Sequence, residues 1–165
     1  MEVLEWFAPK TKHALTLPWK PLHIMPIGDI QYNADASADL KRLRMYVDWG
    51  LKNDYYFVGM GDFIDFASPS GRAKLRAANL YDSVTSVLDL AGRQLVNDLM
   101  DILGPTKGRW LGMLEGHHFH QFSDGITSDQ LLCQMLGARF LGSCAMIRLT
   151  FGDNAKHRAI YKIWA

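Results

Sequence analysis

The sequence has 165 residues, of which 48% are hydrophobic and 21% are charged. This composition is typical of one globular domain and excludes a disordered or fibrous chain. Eighteen Lys and Arg residues against seventeen Asp and Glu residues give a formal charge of +1, which argues against a strongly basic coat for nucleic acid. Two cysteines without CxxC spacing exclude a disulfide framework and a cysteine-rich zinc site. Because no signal peptide and no apolar run of membrane-spanning length occurs, we expect a cytoplasmic protein with no membrane partner.

The beginning of the chain predicts an arm, a strand and a helix. Residues 1–21 mix tryptophan, phenylalanine and proline with charged residues, which indicates an irregular arm that packs across a later core or edge. Residues 22–27 form a short apolar run that stops at Gly28-Asp29, as expected for a buried strand that ends in a polar loop. Leucine and valine then recur at helical spacing, which predicts a helix over residues 37–51 with Ser37 as its cap.

The strand and helix pattern repeats along the rest of the chain. Apolar runs rich in aromatic and branched residues predict four more strands, over residues 55–60, 109–114, 145–151 and 158–164. Helical spacing predicts two more helices, over residues 80–103 and 128–136, the second capped by Thr127 or Ser128. We also predict a loop at residues 69–71, a helix end at Gly104-Pro105 and a turn at residues 152–154. This alternation predicts an α/β layered domain whose ligands lie outside the carboxyl ends of its strands.

Polar and titratable residues follow three of the predicted strands. They form the segments Asp29-Ile30-Gln31, Gly61-Asp62-Phe63-Ile64-Asp65 and Gly116-His117-His118, with His120 just beyond. Carboxylates and imidazoles together suit manganese, iron or zinc, and an aspartate shared by two ions would form a two-metal site. Each segment alone is also typical of a turn or of a surface histidine pair. Three such segments at one sheet edge favour metal binding, so we expect Asp29, Asp62 and His117 to converge there.

At these residues the sequence resembles the calcineurin-like metallophosphoesterase family, whose motifs D-x-H, G-D-x-x-D and G-N-H-(D/E) each follow a strand. Residues 61–65 match the second motif in full, and the resemblance covers residues 22–164. It implies a layered β-sandwich flanked by helices. It also implies a metal-dependent hydrolase that acts on a phosphate ester, as a phosphodiesterase, nuclease or phosphatase does.

The resemblance also assigns roles to individual residues. Asp29 would bind the first of two divalent metal ions, Asp62 would bridge both, and His117 would bind the second. His118 falls on the histidine that contacts phosphate and protonates the leaving oxygen. Asp65 falls on the acid that orients this histidine, so Asp65 and His118 should approach within hydrogen-bonding distance.

The sequence departs from the family's pattern in each of the outer motifs and beyond them. Gln31 replaces the histidine of the first motif and would offer the metal only an amide oxygen, while His117 replaces the asparagine of the third. A register with Gly116 in the asparagine place fits less well, because Glu115 would then replace the motif glycine. The family's later histidine segments do not follow the third motif. We therefore expect the fold to be incomplete at the C-terminus, with residues 22–165 forming the N-terminal part of a phosphoesterase domain.

A basic cluster follows the second motif. Arg72, Lys74 and Arg76 are candidates for binding the phosphate of a substrate, from a loop that folds over the pocket; the alternative is the solvated start of a helix. We predict a metal-dependent phosphoesterase, and the near-neutral charge gives a nucleic-acid substrate only weak support. The alternative from another class is a non-catalytic phosphoesterase-fold module that binds a partner, which Gln31 and the missing histidines favour.

Overall fold

The computed structural model describes residues 11–17, 19–35, 37–154 and 157–165. In chain order its elements are β1 (Thr11–Leu17), β2 (His23–Ile27), α1 (Leu40–Lys52), β3 (Tyr55–Gly59), α2 (Pro69–Ala77), α3 (Asp82–Leu103), β4 (Trp110–Met113), α4 (Ser128–Leu136), β5 (Ala145–Asn154) and β6 (His157–Trp164). The strands form two three-stranded sheets, and the described part of the chain is a mixed α/β structure.

The first sheet has the strand order β2-β3-β4 and is parallel throughout. Parallel neighbours need a crossover, which α1 provides between β2 and β3 and which α2 and α3 provide between β3 and β4. His23 pairs with Tyr55 and Ile27 pairs with Gly59, so β2 and β3 end level with each other. The segments that carry the predicted site residues therefore leave the sheet at one edge.

The second sheet has the strand order β1-β5-β6, with β1 parallel and β6 antiparallel to β5. The prediction of an irregular arm over residues 1–21 is wrong for Thr11–Leu17, which pairs with β5 from Thr11–Ala145 to Leu17–Phe151. The expectation that this segment packs on an edge is correct. Residues 1–10 and residue 18 lie outside the described residues. The predicted turn at residues 152–154 is also wrong, because β5 continues to Asn154.

Two clusters of buried apolar side chains form the core. The larger joins the first sheet to its helices and includes Phe57 of β3, Val47 of α1 and Leu99 of α3. The smaller joins the two sheets and includes Val58 of β3 and Ile147 of β5. Neighbouring residues of β3 thus point into different clusters, as expected for a parallel strand that is buried on both faces. Such burial on both faces fixes the strand ends from which the site loops begin.

The helix boundaries follow from side-chain caps. Asp39, not Ser37, caps α1, because its Oδ1 accepts the N–H of Arg42 at 2.9 Å. Helix α3 begins at Asp82, two residues after the predicted start, and a 3₁₀ turn over Gly104–Thr106 follows it. Helix α4 begins as predicted after Thr127, which forms a reciprocal capping box with Gln130.

The predicted loop at residues 69–71 is wrong, because these residues begin α2. Ser68 caps this helix by accepting the N–H of Gly71 at 3.1 Å. Proline in a first turn and a serine cap are helix-start signals as well as loop signals, and the sequence does not separate the two readings.

Candidate functional site

Main-chain hydrogen bonds join the segment after β2 to the segment after β3. The N–H of Asp29 donates to the carbonyl of Gly61 at 3.0 Å, and the N–H of Gln31 donates to the carbonyl of Asp62 at 2.9 Å. Tyr32 continues this pairing with an isolated bridge to Ile64. The first two site segments are therefore held side by side beyond the ends of their strands, as the motif pattern predicted.

Two glycines allow the segment after β4 to approach the segment after β3. A Cβ atom on Gly61, which has a φ of +84°, would lie 2.8 Å from Cα of Gly116. A Cβ atom on Gly116 would overlap the main-chain nitrogen of Asp62. The approach continues where the N–H of Phe66 donates to the carbonyl of His118 at 3.1 Å. Glycine is required at both positions because the two main chains touch.

The site segments contain strained main chain. Asp29, Gln31 and Asp62 have φ angles of 55°, 50° and 52°, in the left-handed region that residues with a Cβ atom rarely occupy. They are three of the six non-glycine residues with positive φ in the part of the chain that the structure describes. Strain of this kind persists where surrounding contacts enforce it, and it concentrates at functional sites.

The carboxylate of Asp62 anchors residues 116–119, the histidine segment that follows β4. Its Oδ1 accepts the main-chain N–H of His117 and, at 3.1 Å, that of His118. Its Oδ2 lies 3.7 Å from Nδ1 of His117, so one carboxylate contacts both the main chain and the ring of this segment. The structure thus brings Asp62 and His117 together, as expected.

Asp29 and Gln31 form a separate contact on the exposed side of the site. Nε2 of Gln31 donates to Oδ1 of Asp29 at 2.7 Å. Gln31 therefore directs its amide nitrogen, which cannot bind a metal, toward the carboxylate of Asp29.

His118 and Asp65 form the pair that the motifs predicted. Nδ1 of His118 lies 2.7 Å from Oδ1 of Asp65, and the two side chains are 28% and 37% exposed. This confirms the predicted hydrogen bond. The other ring nitrogen, Nε2, makes no hydrogen bond to any described residue.

His120 does not belong to the site, although it follows the same strand. Its Nε2 hydrogen-bonds Oδ1 of Asp89 at 2.8 Å, and its ring packs against Phe66 and Phe122. Both members of this His–Asp pair are buried. His120 therefore joins the loop to α3 and offers no donor at the sheet edge.

Asp129 is a buried carboxyl behind the site that the sequence did not single out. Its Oδ2 accepts the N–H of Gly116 at 2.7 Å. Burial, together with the nearby charges of Glu115 and Asp62, raises the pKa of Asp129 to about 6, against the lowering effect of Gly116 N–H and Arg72. An acidic residue in the first turn of a predicted helix is an ordinary preference, so no sequence signal distinguished it.

The three predicted substrate-binding cations lie on α2 and not in a loop. Lys74 is exposed on this helix, and the side chain of Arg76 lies outside the described residues. Arg72 instead turns toward the histidine segment.

The Arg72 guanidinium is bound to main-chain carbonyls of this region. Its Nη1 donates to the carbonyls of Ala67 at 2.7 Å, His117 at 2.5 Å and Phe119 at 3.2 Å. Its Cζ lies 4.0 Å from the centre of the Phe119 ring. The structure therefore gives Arg72 contacts that hold the histidine segment, where the sequence suggested a contact with substrate.

The donor atoms at the sheet edge fit a divalent metal in type. Carboxylate, amide and imidazole donors at Asp29, Gln31, Asp62 and His117 are those that manganese, iron and zinc accept. Among the described residues, however, no group of three or more His, Cys, Asp or Glu side chains is placed to hold a metal ion. Oδ1 of Asp29 accepts a hydrogen bond from Gln31, and Oδ1 of Asp62 accepts the main-chain N–H of His117.

Comparison with known proteins identifies no relative: the chain matches no family model, and no curated protein or solved structure is significantly similar to it. No helix in the described part of the chain is long and apolar enough to cross a membrane. The function must therefore be argued from the geometry of the site.

Proposed function

We propose that this chain is a metal-dependent phosphoesterase that hydrolyses a phosphate ester at the edge where β2, β3 and β4 end. The observation that carries the proposal is the hydrogen bond between His118 and Asp65, formed beside the Asp62 carboxylate at the carboxyl ends of parallel strands. Ligand sites of α/β sheets lie at such edges. The cluster of buried side chains shared by the two sheets supports the layered sandwich that belongs to this proposal.

The metal donors under this proposal are Asp29, Gln31, Asp62 and His117. A bound divalent ion would neutralise phosphate charge and make phosphorus more electrophilic. Asp62 has a second role that needs no metal, because its Oδ1 fixes two main-chain N–H groups of the histidine segment.

His118 acts as the proton donor to the leaving oxygen. Asp65 accepts a hydrogen bond from Nδ1–H of His118, which fixes the orientation of the ring and leaves Nε2 as the nitrogen for proton transfer. A proton on Nε2 can then pass to the oxygen as its bond to phosphorus breaks. Asp65 is therefore a positioning residue and His118 the catalytic one.

The experiment measures manganese-dependent hydrolysis of bis(p-nitrophenyl) phosphate by the wild-type chain, by Asp62→Asn and by the matched control Asp101→Asn. Asp101 is an exposed residue of α3. Four donors are few for two ions, so we expect weak manganese affinity and slow turnover. Asp62→Asn should lower both by about 10–100-fold or more, and Asp101→Asn should change neither.

Equal turnover by wild type and Asp62→Asn would contradict the assignment of the site. The second candidate is a non-catalytic module, which the hydrogen bond between Gln31 and Asp29 and the incomplete donor group favour. Binding of manganese or inorganic phosphate by calorimetry, without any turnover, would support that candidate over the enzyme.

A further inference from the structure

Side chains from two helices and from the loop after β3 hold the main chain of the histidine segment. Asp129 of α4 binds the N–H of Gly116, and Asp62 binds the N–H groups of the next two residues. Arg72 of α2 binds the carbonyls of His117 and Phe119. The segment is an irregular loop, so these side chains replace the partners that a helix or sheet would give its polar groups.

Every carbonyl from residue 117 to residue 119 is bound. Arg72 takes the first and the third, and the N–H of Phe66 takes the second, that of His118, at 3.1 Å. The peptide groups on both sides of the His118 side chain are thus fixed. Since Phe66 also directly follows Asp65, the main-chain contact and the contact between the His118 and Asp65 side chains stabilise the same alignment.

Arginine makes a contact at this position that lysine cannot make. Its Nη1 donates to the carbonyls while the face of the planar guanidinium stacks on the Phe119 ring at 4.0 Å. A lysine ammonium has N–H donors for carbonyl oxygens but no planar face to stack on the ring.

We infer that Arg72 is a positioning residue for His118, holding the histidine segment so that the ring meets Asp65 and directs Nε2 into the site. The inference rests on the proposed function, because it concerns the same proton donor. It assigns Arg72 no contact with substrate. A displacement of about 1 Å at a reacting group can cost about 100-fold in rate, so a residue that fixes a main chain can matter greatly to catalysis.

The test compares kcat and KM of wild type, Arg72→Lys, Arg72→Met and Arg44→Met, with manganese and the same chromogenic diester. Arg44→Met makes the same substitution at an exposed position of α1 and is the matched control. We expect Arg72→Met to lower kcat by about 10–100-fold with KM changed less than about twofold. Arg72→Lys should not restore the rate, and Arg44→Met should behave as wild type. Phe119→Leu, which removes the ring but keeps the carbonyl, should give a smaller loss of kcat.

A second readout, amide hydrogen exchange at His117 and His118, does not depend on turnover. Arg72→Met should speed exchange at these two amides by about 10-fold or more without speeding it in the core strands, while Arg44→Met should leave it unchanged. A rise in KM alone would overturn the inference, because it would show a substrate contact. Full rescue by Arg72→Lys, unchanged exchange, or a loss of activity that only follows a loss of folded protein would also overturn it. If wild type shows no turnover but exchange responds as expected, the proposed function fails while the hold of Arg72 on the segment stands.

Discussion

His118 and His120 lie two residues apart in the chain, and each forms a hydrogen bond with an aspartate, but the two pairs differ in exposure and in their neighbours. Nδ1 of His118 lies 2.7 Å from Asp65, and Nε2 of His120 lies 2.8 Å from Asp89. The side chains of the first pair are 28% and 37% exposed, whereas those of the second are 11% and 12% exposed. The first pair is therefore the more exposed of the two.

The carboxylate of the less exposed pair, Asp89, is held by several hydrogen bonds within the fold. Asp89 uses both oxygens within the fold, since Oδ1 binds His120 and Oδ2 accepts the N–H and the Oγ–H of Ser123. Burial alone would raise the pKa of Asp89, but the hydrogen bonds from Ser123 and His120 outweigh it and hold the pKa below its ordinary value. The charge is therefore stabilised inside the protein, where it fixes the loop onto α3.

A His–Asp hydrogen bond therefore does not by itself identify a catalytic pair. The informative observations are the exposure of the pair and its position relative to the other site residues. The ring of His120 packs against Phe66 and Phe122, which makes it a packing element as well as a hydrogen-bonding one. The His118 pair is more exposed and lies beside the Asp62 carboxylate.

The largest expected effect is on turnover at His118. His118→Asn should lower kcat for the chromogenic diester by about 10²–10⁴-fold, because the general acid is lost, while the midpoint of thermal unfolding stays near that of wild type. The matched control is His23→Asn, at an exposed position at the start of β2 and so at the opposite end of the strand. The test measures kcat and the midpoint of thermal unfolding for wild type and for both variants. An unchanged kcat would remove His118 from the mechanism.

His120 should show the reverse behaviour. His120→Leu leaves part of the buried Asp89 carboxylate without a partner and removes ring contacts, so it should lower the free energy of unfolding by about 2–4 kcal/mol. Urea unfolding followed by circular dichroism measures this loss. The kcat of the folded fraction should stay within a few-fold of wild type. A stable variant that has lost its turnover would mean that the two pairs have been assigned the wrong way round.

The strand ends of the first sheet could be predicted because local signals determine them. Apolar runs stop at Gly28, at Met60 and at Leu114, and each is followed by polar or charged residues. Strand β1 could not be predicted in this way, because its partner lies far along the chain and Thr11 pairs with Ala145. Its side chains alternate between exposed and less exposed positions, but its polar and apolar residue types do not alternate. The surrounding tryptophan and proline residues also suggested an irregular segment.

Contacts between the side chains of motif residues could be predicted from the sequence. Contacts between a side chain and the main chain could not. The pairing of Asp65 with His118 follows from motif spacing, and the structure confirms it. The contacts of Arg72 with carbonyls, and of Asp129 with the N–H of Gly116, leave no trace in the sequence, because any residue supplies such main-chain groups. Their partners are set by tertiary packing alone.

Asp129 and Asp89 are both buried carboxyls, but the pKa of Asp129 is raised whereas the pKa of Asp89 is lowered. Asp89 receives hydrogen bonds from Ser123 and His120. Asp129 accepts the N–H of Gly116 and lies near the negative charges of Glu115 and Asp62. Fewer favourable contacts therefore leave burial as the dominant effect on Asp129.

The smallest expected effect is a change in how stability depends on pH at Asp129, whose pKa rises from 3.8 to about 6. Between these values the unfolded chain has lost the proton while the folded chain keeps it, so unfolding releases a proton and becomes easier as pH rises. The stabilisation is present below pH 3.8 and is lost by about pH 6. A shift of this size corresponds to at most about 2–3 kcal/mol. Urea unfolding of wild type and Asp129→Asn in buffer with a chelator, at intervals from pH 4 to 7, measures the effect. The difference in stability between the two should shift in favour of Asp129→Asn as pH rises, and a difference that stays constant would show that Asp129 ionises in the folded protein as it does in the unfolded chain.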